Sequence, residues 1–92
     1  MADSPPDPAE LPHVEFGTFV MSMATSVLVH LGEVPHPEDP QAKPDLAMAR
    51  HTLDLLGMLQ VKTRGNLTKE EQELLENLLY DLRLKYVAAK KQ

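Results

Sequence analysis

Between Val14 and Leu31 the chain reads VEFGTFVMSMATSVLVHL, and Glu15 is its one residue that is fully charged at neutral pH. Phe16, Phe19, Val20, Met23, Val27 and Leu31 recur at three- and four-residue steps, which puts them on one face of a helix. Met21, Ala24, Leu28 and Val29 fall elsewhere on the same wheel. Val27-Leu28-Val29 is β-prone, but the length and stepping of the run favour a helix over about 15–31. A helix that is apolar almost all round expects burial on more than one side. This requirement restricts the fold more than any other feature.

The prolines partition the rest. Pro5, Pro6, Pro8 and Pro12 crowd the first residues, MADSPPDPAELP. Their missing N–H groups and fixed φ oppose helix, so 1–13 is expected to be a disordered, Pro-rich leader. It carries acids where a secretory signal would carry basic residues ahead of an apolar run, and it is not read as one. Pro35, Pro37, Pro40 and Pro44 make 32–44 a loop, and Gly32 is free to take φ > 0 and end the first helix. The folded part is expected to be a single helical domain over 14–90.

Asp45 has the chemistry of an N-cap for a second helix over about 46–63. Leu46, Ala49, Leu53, Leu56 and Gln60 form its seam, widened by Met48, Thr52, Leu55 and Leu59. Arg50 and Asp54 are spaced to pair on its outer face. Gly57 inside this helix is either tolerated, at about 1 kcal/mol relative to Ala, or marks the close approach of another helix backbone. Gly65 follows the basic end Lys62–Arg64 and suits a helix C-terminus. Thr68-Lys69-Glu70-Glu71 is a capping-box pattern, with Thr68 as N-cap and Glu71 reaching back. So short a turn predicts that the second and third helices form an antiparallel hairpin. The third helix, about 69–89, buries Leu75, Leu78, Leu79, Leu82, Tyr86 and Ala89, with Leu74 broadening the stripe. Its acids lie early and its bases late, as the helix dipole favours, and Asp81 and Lys85 are spaced to pair.

Composition excludes several functions. There is no cysteine, hence no disulfide framework, thiolate metal site or cysteine nucleophile, and a reducing cytoplasm is the expected compartment. A net charge of -5 disfavours a general grip on nucleic acid, and the dipole already accounts for the basic end of the third helix. His30, His36, Glu33, Glu38 and Asp39 gather around the first loop, but their spacing matches no defined metal site. His51 and Asp54 with Ser22 or Thr52 would form a triad only by tertiary accident, and no phosphate loop or nucleophile elbow is present. No catalytic residue, cofactor or metal is expected.

Three helices in a chain this short leave a small core. The first helix offers more apolar surface than one stripe, and an apolar patch left open marks an interaction site. All-α packing within a homo-oligomeric helical bundle, a dimer foremost, is therefore expected. Its interface is placed on Phe16, Phe19, Val20, Ser22, Met23, Ser26 and Val27, where Thr18, Ser22 and Ser26 line up as small residues at spacing four. Met21, Met23, Met48 and Met58 read as gap-fillers of the core. An unidentified protein partner is the second occupant weighed. Membrane contact is the third: the run is a little short to span and lacks adjacent Lys, Arg or Trp anchors. The expected role is a non-catalytic interaction or adaptor module. The alternatives are a ligand- or metal-responsive regulator using the 30–39 loop, or a peripheral membrane-associated protein.

FGTFVMSMATSVLVHLGEVP, followed by LAMARHTLDLLGMLQVKTRGNLTKEEQELLENLLYDLRLKYV, resembles the bacterial domain-of-unknown-function family 1844. The resemblance spans about Phe16 to Val87. It implies a small helical bacterial protein of the cytoplasm, and it transfers no catalytic residue.

Overall fold

The computed structural model describes residues 15–91, so the reading of 1–13 as a disordered leader lies outside the described residues. Among them are three helices and no strand: α1 (Phe16–Leu31), α2 (Leu46–Lys62) and α3 (Lys69–Lys90).

The helix ends follow from local chemistry. α1 starts at Glu15, whose side chain makes no capping bond, and stops at Gly32 in the left-handed region at φ 84°. There the Gly32 N–H donates to the Val29 carbonyl and the Glu33 N–H to the Leu28 carbonyl, which together make a Schellman closure. Asp45 Oδ1 accepts from the Met48 N–H at 3.1 Å at the start of α2. Past the end of α2, Gly65 takes φ 82°, within a turn closed by the Asn66 N–H on the Thr63 carbonyl at 2.9 Å. α3 opens on a full capping box: Thr68 Oγ1 accepts from the Glu71 N–H at 3.1 Å, and Glu71 Oε1 accepts from the Thr68 N–H at 2.9 Å.

The loop between α1 and α2 is closed at its neck. The Asp45 N–H donates to the His30 carbonyl at 2.7 Å, so the start of α2 is bonded to the end of α1. Gly32 faces Pro44 at this neck, and a Cβ on Gly32 would lie 2.8 Å from Pro44 Cγ. Within the loop, His36 Nδ1 accepts from the Glu38 N–H and Asp39 Oδ1 from the Gln41 N–H, both at 3.1 Å. Such local bonds satisfy backbone donors that proline-rich sequence keeps out of helix. Lys85 Nζ on α3 reaches Glu33 Oε1 at 3.0 Å and ties the loop to the third helix.

Each helix packs against the other two. α1 contributes Val20, Ala24, Val27 and Leu31 to the core; α2 contributes Ala49, Leu53 and Leu56; α3 contributes Leu75, Leu79 and Leu82. Fully burying a side chain of the Val or Leu kind is worth about 1.5–3 kcal/mol, as an upper estimate. Phe16, Met23 and Leu28 pack partly against this core, as do Leu78, Tyr86 and Ala89 of α3.

Several sequence expectations change here. Ala24, placed off the buried face, is buried, whereas Phe19 is exposed. Phe19 lies too far round the helix from the Val20–Val27 line to reach the core. Met21, Met48 and Met58 are exposed rather than filling core gaps. Lys85 pairs with Glu33 and not with Asp81, a cross-element partner that helical spacing alone does not reveal. Arg50 and Asp54 approach to 3.9 Å, with both side chains largely in water.

Candidate functional site

The interface expected on α1 divides when its residues are located. Val20 and Val27 are 0% exposed, sealed within the chain's own core, and offer nothing to a second chain. That is a correction: the apolar step that suggested an interface is the step that packs α1 on α2 and α3. Phe16 and Met23 are half-buried against the same core. Ser22 and Ser26 are exposed, and Ser22 Oγ donates back to the Thr18 carbonyl at 3.0 Å. Phe19 stands out at 49% exposure.

More open apolar surface lies on the other two helices. α1 exposes Phe19 and Met21, α2 exposes Met48, Leu55, Met58 and Val61, and α3 exposes Tyr80, Leu84 and Val87. The α3 residues are 66%, 54% and 46% exposed and recur at steps of four and three, a single line along the helix. With Gln60, Glu76, Leu79 and Arg83 they line a groove of ≈ 460 Å³ between α2 and α3. Gln60 forms the α2 wall, and Gly57 lies under Arg83. A Cβ there would lie 3.1 Å from Arg83 Nη2, so the close neighbour is an arginine side chain and not a helix backbone. α3 is thus bifacial: Leu75, Leu79 and Leu82 face inward, and Tyr80, Leu84 and Val87 face water. Sequence reasoning missed this second line because Tyr80 and Leu84 were assigned to no face. The three- and four-residue step from Tyr80 to Val87 is the signal that finds it.

The loop offers a second concavity, ≈ 460 Å³, bordered by His30, Glu33, His36, Lys43 and Asp45. His36 Nδ1 is engaged by a backbone N–H, and Glu33 by Lys85. Among the described residues no three His, Asp or Glu side chains converge as metal ligands. Nor do the residues weighed as a triad meet. Thr52 is buried and His51 exposed, and no hydrogen bond joins His51, Asp54, Thr52 and Ser22 among the described residues. No described helix is long and apolar enough to cross a membrane.

A family model, Domain of unknown function (DUF1844), matches residues 13–88, which takes in all of α1 and α2 and nearly all of α3. The chain belongs to this family. Residues 13–88 carry the loop neck, the capping box and the α3 line together, so all three lie within the family's domain. Neither a curated protein nor a solved structure matches the chain.

Proposed function

We propose that this member of the family is a non-catalytic helical module that self-associates, foremost as a dimer, and presents a surface to other proteins in the bacterial cytoplasm. In this reading α2 and α3 form an antiparallel hairpin, α1 closes the bundle, and a second copy completes an oligomeric one. The observation that carries it is the exposed apolar surface: large apolar side chains stand open on every helix of a 10.3 kDa chain. Of these, Tyr80, Leu84 and Val87 border one groove, and apolar surface gathered in this way on a small domain marks an interaction site.

Light scattering coupled to size exclusion at micromolar concentration tests it. The expected species has about twice the mass of the 10.3 kDa chain, by the two-fold pairing commonest among oligomers. A monodisperse monomer overturns the reading.

A further inference from the structure

We infer that a second copy of this chain docks along the outer line of α3, antiparallel to it, across a two-fold axis near Leu82. The inference rests on the self-association reading and names its contact surface.

Tyr80, Leu84 and Val87 form the apolar centre of that line. Asn77 and Lys91 extend its three- and four-residue stepping on either side, giving the seam spacing of a paired helix. The charges around this centre are ordered. Glu73 and Glu76 precede it, Lys90 and Lys91 follow it, Asp81 and Arg83 lie within its span, and all six are exposed. A parallel copy would set acid against acid and base against base. An antiparallel copy centred near Leu82 sets Tyr80 against the partner's Leu84, Asn77 against the partner's Val87, and Glu73 against the partner's Lys91. A two-fold contact must be its own complement. This surface meets that condition because its charge reverses about its apolar middle. An anionic lipid surface would instead meet Glu73 and Glu76 beside the apolar residues, which it repels. Tyr80, Leu84 and Val87 are each about half exposed or more, so the neighbouring helix does not block approach to the line.

The test is sedimentation equilibrium of the full chain and its variants, with circular dichroism to verify helix content. Leu84→Glu on an exposed site leaves the helices formed and weakens dimerisation about 100-fold or more, because each copy contributes the lesion to the contact. Phe19→Glu on α1 leaves dimerisation unchanged. The double variant Glu73→Lys/Glu76→Lys also weakens it, and adding Lys90→Glu/Lys91→Glu restores it, since the reversed order is again self-complementary. A monomeric wild-type chain sinks both the self-association reading and this inference. A wild-type dimer that survives Leu84→Glu, or that is lost with Phe19→Glu instead, overturns the inference and leaves the reading standing with its contact elsewhere. Failure of the second charge pair to restore association overturns the antiparallel arrangement.

Discussion

α1 and α3 distribute their apolar side chains in opposite ways. α1 is the more apolar by far, with no acid or base inside the helix apart from His30, yet it leaves only Phe19 and Met21 among the large apolar residues exposed. α3 interleaves Glu, Asp, Arg and Lys throughout, and it exposes Tyr80, Leu84 and Val87. The reason is packing geometry. α1 buries Val20, Ala24, Val27 and Leu31, and its flanking Phe16, Met23 and Leu28 are half-covered by its two neighbours. α3 buries its inner leucines, and among the described residues its outer line stays exposed. Apolar density along a sequence therefore measures demand for burial, and the arrangement of neighbours decides which demand is met.

The sharpest way to break this comparison is to truncate one leucine on each helix. Leu31→Ala on α1 is expected to cost about 2–5 kcal/mol by urea unfolding, because it opens a cavity in the core. Leu84→Ala on α3, in protein dilute enough to be monomeric, stays within about 0.5 kcal/mol of wild type. Equal losses would mean that the outer line of α3 is packed in the monomer after all.

The helix ends give the next effects. Gly32→Ala at the end of α1 is expected to cost about 2 kcal/mol, since a Cβ is disfavoured in the left-handed region and here also meets Pro44. Gly65→Ala has a similar φ with no neighbour to strike, and its thermal midpoint should fall less. At the start of α3, Thr68→Ala removes half of the capping box and costs about 1 kcal/mol. α1 has no side-chain cap to lose, so Glu15→Ala should leave the melting temperature nearly unchanged. A further small effect concerns the tie between the loop and α3. Glu33→Gln breaks the half-exposed contact with Lys85 and should cost under about 1 kcal/mol, a difference that shrinks further in high salt.

The parts legible in the sequence are those set by chemistry within a few residues. Thr68 with Glu71, and Asp45 with Met48, are each joined by contacts three residues apart, and the core leucines of α3 follow a simple period. The parts that were not legible depend on a partner far along the chain. Lys85 lies 52 residues from Glu33, and Pro44 meets Gly32 only once the loop has closed. The α1 interface was misplaced at Val20 and Val27 for the same reason. Periodicity marks a face as apolar, but it does not say whether the cover comes from the same chain or another.

The hydrogen bond from the Asp45 N–H to the His30 carbonyl separates two things that a connecting segment usually couples. The start of α2 is joined to the end of α1 at the neck, while the residues beyond Glu33, which itself pairs with Lys85, make an excursion closed by the neck bond. That makes the 32–44 segment a natural graft point. A short peptide inserted near its tip, around Glu38, is expected to leave the three helices in place, with unchanged helix content by circular dichroism.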